Sequence, residues 1–235
     1  MKLAVFSDIH GNFEALESIY NDIKKQKVDE IIYLGDAIGI GPQPIKCLEF
    51  MMNHPDITMI LGNHEERQMQ ESDVDFYKEG NRHHLWVHEK IKKKHLDFIN
   101  NLPIFIEREY HNKKFFFSHF FLKSLKHNQL YYPIDIMEDK KKLQKLKKDT
   151  NYDYIFIGHN HNNYEYKSLH IIDVGTSGCV YDNKTSYYLV NILDEVTIEK
   201  KIIEYDRESF EKSFKGFDNE HNLSYRFFGV KLDDK

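Results

Sequence analysis

Aspartate, asparagine and histidine side chains follow several apolar runs of this chain, in spacings that suit a metal site. The segments are Asp8-x-His10, Gly35-Asp36, Gly62-Asn63-His64-Glu65, His119 and Gly158-His159-x-His161. Residues two apart in extended backbone point the same way, so both members of a spaced pair can face one centre. Carboxylate, imidazole and one neutral amide together favour Mn²⁺, Fe, Zn²⁺, Co²⁺ or Ni²⁺ over a thiolate site or a Ca²⁺ cage. Neither cysteine, Cys47 or Cys179, lies next to these segments in the sequence.

Whether these segments form one metal centre or several unrelated turns depends on the role of Asp36. It follows an apolar run over 30–34 and one glycine, and two more glycines, Gly39 and Gly41, come after it. Three other apolar runs also end on Asp, Asn or His. We therefore interpret Asp36 as a carboxylate shared by a pair of metal ions. The alternative is that it only caps a turn, as Gly-Asp pairs often do.

Alternating strand and helix patterns must position these residues in the first part of the chain. Apolar runs predict strands over 2–7, 29–34 and 57–61. Helical spacing of apolar residues predicts helices over 13–27 and 44–53, between those strands. This alternation predicts parallel strands with crossover helices, and ligands of such sheets gather at the carboxyl ends of the strands. The polar segments lie at those ends.

The second part of the chain contains more strand patterns than helix patterns. One helix is predicted over 83–102, a basic helix over 134–148 and a short helix from Arg207. The predicted strands are 104–109 and 113–118, joined as a hairpin across His111-Asn112, and then 154–157, 169–174, 186–193 and 196–205. This run of strands adds a second sheet to the first.

Composition indicates an ordinary globular protein. The chain has 235 residues, of which 40% are hydrophobic and 30% charged, so we expect one domain over residues 1–235. Its net charge of −5 argues against stable, sequence-independent binding to nucleic acid. Two cysteines are too few for a disulfide framework, and no apolar run approaches the roughly 20 residues of a membrane-spanning helix. We expect a cytoplasmic protein without a membrane partner.

The polar segments, taken together, resemble the calcineurin-like metallophosphoesterase family. The pattern D-x-H, G-D, G-N-H-E, H, G-H-x-H is complete and in order from residue 8 to residue 161. The resemblance implies an α/β fold, a four-layer α/β/β/α sandwich of two mixed sheets flanked by helices. It also implies a metal-dependent hydrolase of phosphate esters, with the site where loops from both sheets meet.

The resemblance also implies a role for each residue. The implied ligands are Asp8, His10 and His161 for a first metal and Asn63, His119 and His159 for a second. Asp36 would bridge both ions, and His64 would be the catalytic residue that contacts the phosphate. The two divalent ions are expected to be Mn²⁺, with Fe, Zn²⁺, Ni²⁺ or Co²⁺ as alternatives.

Two such ions imply a mechanism. Dications about 3.5–4 Å apart lower the pKa of a bridging water from 15.7 toward about 7, which makes a hydroxide available for in-line attack on phosphorus. The same ions offset the negative charge that grows on the phosphate oxygens in the transition state.

The chain departs from the protein serine/threonine phosphatases of this family after Asp36. Their G-D-x-V-D-R-G motif has a second Asp and an Arg where this chain has Gly39 and Ile40. Without that Arg, a dianionic monoester loses a charge-assisted contact that a mono-anionic diester needs less. The continuation from Gly39 to Pro44 is similar to the small prokaryotic phosphodiesterase-like branch. We therefore expect phosphodiester or nucleotide substrates, although Arg67 or Arg82 could replace the missing arginine.

Other interpretations remain at this stage. One is a phosphomonoesterase or phosphoprotein phosphatase, and another is a non-catalytic scaffold of the same fold for protein interactions. A nuclease is disfavoured by the acidic charge. Two local alternatives concern the pocket: His127 could line it with Tyr131 and Tyr132, and the backbone N–H groups over 175–178 could either bind phosphate or form an ordinary turn. The oligomeric state is open.

Overall fold

The computed structural model describes residues 1–69, 82–124, 129–131, 141, 143–144, 147–148 and 151–232. The strands are β1 Lys2–Phe6, β2 Glu30–Tyr33, β3 Ile57–Met59, β4 Phe105–Tyr110, β5 Lys113–Ser118, β6 Phe121–Ser124, β7 Gln129–Tyr131, β8 Tyr154–Ile157, β9 Asn163–Tyr166, β10 Ile171–Val174, β11 Lys184–Ile192 and β12 Val196–Glu204. The helices are α1 Phe13–Gln26, α2 Pro44–Asn53, α3 Asn63–Met69, α4 Arg82–His88, α5 Lys93–Asn100, α6 Arg207–Lys212 and α7 Leu223–Phe228.

Two five-stranded mixed sheets form the centre of the fold. The first has the order β12-β11-β1-β2-β3, and the second has the order β4-β5-β8-β10-β9. Strands β1, β2 and β3 are parallel in the first sheet, as are β5, β8 and β10 in the second, and the other neighbours are antiparallel. The predicted α/β class with two mixed sheets flanked by helices is confirmed.

Alternation along the strands divides the core into layers. In β1, Leu3 and Val5 face the second sheet and pack with Phe117 and Phe156. The intervening residues of β1 point the other way, because successive side chains of a strand alternate between faces. They pack against α1 and α2 through Leu16, Ile19, Ile23, Cys47 and Met51. On the outer face of the second sheet, Leu143 packs against strand residues of β5 and β8.

The predicted helix over 83–102 is wrong as a single element, because α4 ends at His88 and α5 begins at Lys93. The cause is local. Lys92 has extended backbone, and its N–H donates to Nδ1 of the buried His95, which starts a second helix at that point. The apolar stripe on which the prediction rested continues through both helices, so its spacing did not reveal the break. The predicted helix over 134–148 lies mostly outside the described residues.

Strand β9 and helix α7 were not predicted. The run Asn-Tyr-Glu-Tyr over 163–166 has only four residues and none of them is buried, so it lacks the aliphatic residues that mark a half-buried strand. Helix α7 has only six residues.

The hairpin turn at His111-Asn112 is confirmed, with positive φ at both residues. None of the helices in the described part of the chain is long and apolar enough to cross a bilayer.

Candidate metal centre

The carboxyl ends of parallel strands from both sheets meet at one place. Asp8 follows β1, Asp36 follows β2 and Asn63 follows β3 in the first sheet, while His119 follows β5 and His159 follows β8 in the second. The structure thus brings the eight predicted residues together, although they span positions 8 to 161 of the sequence. We call them the candidate centre: Asp8, His10, Asp36, Asn63, His64, His119, His159 and His161.

The backbone at this centre is left-handed at many positions rather than extended. Five of the eight residues have positive φ: Asp8, His10, Asp36, His159 and His161. The left-handed region costs a residue other than glycine about 1–3 kcal/mol, and such strain concentrates at functional sites. The paired residues converge as predicted. However, the assumption that extended backbone aligns them is wrong.

The first group of side chains comprises Asp8, His10 and His161, which we call the first position. Nε2 of His10 lies 3.5 Å from Asp8 Oδ1 and 2.9 Å from Nε2 of His161. Nε2 of His161 lies 3.4 Å from the same Asp8 oxygen. These atoms therefore point at a common centre.

The second group, which we call the second position, comprises Asn63, His119 and His159. Oδ1 of Asn63 lies 3.1 Å from His119 Nε2 and 2.9 Å from His159 Nδ1. Asp36 lies between the two positions, with its Oδ2 3.2 Å from His119 Nε2 and 3.7 Å from His10 Nε2. One carboxylate thus faces both groups.

The tautomers of the histidines indicate that cations belong here. Nδ1 of His119 lies 2.9 Å from the carbonyl oxygen of Leu34, and Nδ1 of His10 lies 3.1 Å from that of Ile38. A carbonyl only accepts, so each neutral ring carries its proton on Nδ1 and turns the Nε2 lone pair toward oxygens of the centre. Lone pairs that face one another repel unless a cation lies between them. These residues therefore fit divalent metal ions.

The protonation of His119 agrees with this requirement. Burial lowers the pKa of its imidazole, but the carboxylates of Asp36 and Asp8 outweigh burial and raise that pKa to about 9. In the same way, burial disfavours the charged form of Asp36, yet His119 and His64 hold the pKa of its carboxyl well below its usual range. The centre therefore attracts positive charge, which a metal ion would supply.

Glu65 holds the loop that carries Asp36, a role that the sequence did not reveal. Its buried carboxylate accepts N–H groups from Asp36, Ala37, Ile38 and Gly62 at 2.9–3.2 Å. A side chain at Gly62 would place its Cβ 2.2 Å from Asp36 Oδ1, so only glycine allows this close approach. Four hydrogen bonds to one carboxylate fix the position of the shared Asp36.

His64 lies beside the Asp36 carboxylate. Its backbone N–H donates to Asp36 Oδ1 at 2.9 Å, and its Nε2 lies 4.0 Å from Asp36 Oδ2. Its buried Nδ1 has no hydrogen-bond partner in the part of the chain that the structure describes. A Cβ at Gly39 would lie 1.9 Å from that Nδ1, so the ring occupies the space that a side chain at position 39 would need. Burial lowers the pKa of His64 well below its usual value, and the ring is neutral.

A cavity of about 960 Å³ opens above the centre. Its inner lining includes Asp36, His64 and several of the histidines. Its outer lining comprises four residues that we call the outer wall: Tyr164, Tyr166, Arg226 and Phe227. Tyr164 is 55% exposed, and its ring stacks on Tyr166 with centroids 5.6 Å apart.

Arg226 is the arginine of this cavity, and the sequence reasoning missed it. By contrast, Nη1 of Arg67 lies 2.8 Å from Nε2 of His84, and Arg82 forms an ion pair with Asp218. Neither arginine lines the cavity. The suggestion that Arg67 or Arg82 replaces the missing arginine stays a prediction, and Arg226 is the arginine that lines the cavity. Arg226 lies in α7, about 190 residues from Asp36, and no short-range signal connects them.

The loop over 175–178 braces the backbone of the Asp8 loop. Ser177 N–H donates to the carbonyl of Ser7 at 2.9 Å, and Gly178 N–H donates to that of Asp8 at 3.0 Å. The Gly175 N–H donates to Asp173 Oδ1 at 2.9 Å, so three of the four N–H groups have partners within the protein, which favours the structural alternative. The suggested pocket residues His127 and Tyr132 lie outside the described residues.

Cys179 follows this loop, and its sulfur approaches the first position. Sγ and ring nitrogens of His10 and His161 lie within 4.8 Å of one another. The sequence places Cys179 far from every predicted ligand, so only the fold reveals this approach.

Comparison with known proteins finds a similar sequence and similar folds. A protein of Methanocaldococcus jannaschii described as uncharacterised is 32% identical over 238 residues, covering 91% of this chain and 92% of the relative. A hypothetical protein from Pyrococcus horikoshii has a TM-score of 0.75 at 16% identity, with 98% of this chain and 99% of that chain covered. A metallophosphoesterase from Sphaerobacter thermophilus has a TM-score of 0.67 at 19% identity, with 95% and 99% covered.

The sequence also matches a family model, and that match covers all eight residues of the candidate centre. The model is described as calcineurin-like phosphoesterase, and residues 1–163 of the 235 match it. The resemblance drawn from the motifs is confirmed: this chain belongs to the calcineurin-like phosphoesterase family.

Proposed function

We propose that this protein is a dinuclear-metal-dependent phosphohydrolase that acts on phosphodiesters or nucleotides. The position of Asp36 carries the proposal, because its Oδ2 faces His10 of the first position and His119 of the second. A carboxylate shared in this way holds two ions close together. When bound, the ions supply Lewis acidity and a water of lowered pKa.

His64 serves as the hydrogen-bond donor of the proposed reaction. Its side chain is 12% exposed and lines the cavity, and its ring is neutral because burial lowers its pKa. A neutral ring with its proton on Nε2 donates to a phosphate oxygen placed near Asp36. This hydrogen bond strengthens as negative charge grows on that oxygen or on the leaving ester oxygen, and it therefore stabilises the transition state.

The lining next to His64 favours a mono-anionic phosphate. Gly39 and Ile40 offer neither the carboxylate nor the guanidinium of the phosphatase motif. Arg226 is exposed, and a single exposed guanidinium grips a dianion less firmly than a buried bidentate pair. Phosphodiesters carry one negative charge on the reacting phosphate and need less compensation.

The outer wall supports nucleotides among the diesters. Stacked Tyr164 and Tyr166 present aromatic faces, and base stacking on such rings contributes about 1–3 kcal/mol per base. The cavity of about 960 Å³ accommodates a molecule of nucleotide size. Arg226 would then contact a phosphate away from the reacting one.

The test compares a chromogenic diester with the matching monoester, using purified protein reconstituted with Mn²⁺, Zn²⁺ or Co²⁺. We expect kcat/KM for the diester to exceed that for the monoester by at least about tenfold, a difference of about 1.4 kcal/mol. The variant His64→Asn, with its metal content verified, serves as the control for hydrolysis at this centre. A screen of cyclic nucleotides, dinucleoside polyphosphates and phosphopeptides then narrows the substrate class.

Each other outcome contradicts the proposal in a distinct way. A strong preference for the monoester would favour a phosphomonoesterase or phosphoprotein phosphatase. Folded protein that binds metal yet hydrolyses no phosphate ester with any of these ions would favour the scaffold interpretation.

A further inference from the structure

The thiol of Cys179 belongs to a group of donor atoms around the first position. Its Sγ and ring nitrogens of His10 and His161 lie within 4.8 Å of one another, and Cys179 is 8% exposed. Donors of a tetrahedral zinc ion, bound at about 2.0–2.3 Å each, lie about 3.3–3.8 Å apart. The three atoms therefore need to approach one another by no more than about 1.5 Å to bind one ion.

A second observation at the same place points to a cation. Asp8 is fully buried, and its Oδ1 has no hydrogen-bond partner among the described residues. This oxygen lies 3.5 Å from Nε2 of His10 and 3.4 Å from Nε2 of His161. Because a buried carboxylate oxygen without a donor is costly, it indicates a missing positive charge. Oxygen, nitrogen and sulfur donors thus surround one point.

Hydrogen bonds fix Cys179 relative to Asp8. The backbone N–H of Cys179 donates to Thr176 Oγ1 at 2.9 Å, and the Thr176 hydroxyl donates to the carbonyl of Asp8 at 2.8 Å. Gly178, between them, approaches Ile9 so closely that a Cβ would lie 1.8 Å from the Ile9 carbonyl oxygen. The loop that precedes Cys179 therefore packs directly against the loop that carries Asp8. These contacts hold the thiol near the first position.

We propose that Cys179 is a fifth protein ligand of the metal held by Asp8, His10, His161 and the shared Asp36. The thiol loses its proton to solvent as the ion binds. A thiolate is a soft ligand, so it biases this position toward Zn²⁺, Fe²⁺ or Co²⁺ and against Mn²⁺ and Mg²⁺. The proposal rests on the two-metal function above, and it assigns to this chain a donor that its sequence motifs do not contain.

Cobalt provides a direct readout of sulfur ligation. Metal-free full-length protein is titrated with Co²⁺, and absorbance is recorded in the near ultraviolet and the visible range. We expect two ions per chain, together with a thiolate-to-cobalt charge-transfer band. Cys179→Ser and Cys179→Ala should lose that band while still binding cobalt. Cys47→Ala is the matched control and should keep it, because Cys47 lies in α2, packs in the core with α1, and belongs to none of the possible metal-binding groups found among the described residues.

Metal competition measures the selectivity. Wild type and Cys179→Ser are equilibrated with mixtures of Zn²⁺ and Mn²⁺, and the bound metals are quantified. We expect the preference for Zn²⁺ to fall by at least about tenfold in the variant, since even outer-shell changes cost 10–100-fold in metal affinity. Cys47→Ala should leave the preference unchanged. Thermal unfolding of the metal-free variants verifies that they are folded.

The outcomes separate this proposal from the proposed function. Wild type that binds two cobalt ions and hydrolyses diesters without the charge-transfer band would overturn the Cys179 assignment alone. A band retained in Cys179→Ser would do the same. Folded wild type that takes up no cobalt would overturn both.

Discussion

The candidate centre and the outer wall of the same cavity differ in how firmly their side chains are held. In the centre, Asp36 is almost fully buried. The Glu65 carboxylate accepts three backbone N–H groups of the Asp36 loop and a fourth from Gly62. In the outer wall, Tyr164 and Arg226 are exposed. Burial and fixed geometry suit electrostatic chemistry, which loses force in water. Exposed aromatic and cationic groups suit adaptable contact with the rest of a substrate. We infer that the candidate centre determines which bond is hydrolysed, whereas the outer wall determines which substrates bind.

Asp36→Asn should have the largest effect, because it removes the one charge that both metal positions share. The amide still accepts the backbone N–H of His64, so the loop keeps its shape. We expect loss of both ions and a fall in kcat/KM beyond the about 10²–10³-fold that removal of a single stabilising donor costs. Metal analysis and diester hydrolysis measure this. Two ions retained by the variant would contradict the assignment of Asp36 as the bridge.

His64→Asn tests the other function of the centre, transition-state stabilisation without metal binding. We expect two ions per chain as in wild type, with kcat lower by roughly 10²–10⁴-fold. KM should change little, because the contact strengthens mainly in the transition state. Loss of metal from this variant would show that His64 is structural rather than catalytic.

Asp173 allows a pH test of burial at the boundary between centre and wall. Burial raises the pKa of its carboxyl to about 7, while Asn160 and the Gly175 N–H stabilise the charged form only partly. Between pH 4 and pH 7, approximately, the folded chain keeps a proton that the unfolded chain has lost. The free energy of unfolding contributed by Asp173 therefore falls as pH rises through that window, by up to about 4 kcal/mol for three pKa units.

Asp173→Asn should remove that decline. Urea unfolding of metal-free wild type and variant at pH 5 and pH 8 measures it, and the difference between the two proteins cancels the titration of other groups. Asn160 Oδ1 has no hydrogen-bond partner among the described residues. If the Asn160 amide flips, this oxygen accepts a hydrogen bond from the side-chain amide of the new asparagine. A pH-independent difference between the two proteins would show that Asp173 titrates near its ordinary pKa.

Arg226→Ala should have the smallest effect and should appear in KM alone. An exposed ionic contact is worth about 0.2–1 kcal/mol, which corresponds to a rise in KM of up to about fivefold. Metal content and kcat should remain those of wild type. Arg82→Ala is the control, because Arg82 is exposed, pairs with Asp218 and does not line the cavity. An equal fall in kcat and kcat/KM for Arg226→Ala would place this arginine with the catalytic groups.

The candidate centre could be located from the sequence because each of its five segments follows its own strand. A strand pattern and a polar terminus are local signals, and parallel strands carry their carboxyl ends to a common edge. For the same reason α2 has the predicted bounds, 44–53, since Pro44 begins it and its apolar stripe is continuous. The break between α4 and α5 escaped the prediction because it depends on one hydrogen bond from Lys92 to His95.

The sequence alone determined the family and the alternation of elements, and it predicted the eight residues of the candidate centre, because these depend on residue types at short spacings. Only the tertiary structure decided that Arg226 enters the cavity and that Cys179 approaches His10 and His161. It also decided that the ring of His64 fills the space over Gly39. Those contacts join residues 18 to about 190 positions apart, across loops that carry no periodic signal. Their distances depend on how the sheets pack and on where backbone hydrogen bonds hold each loop.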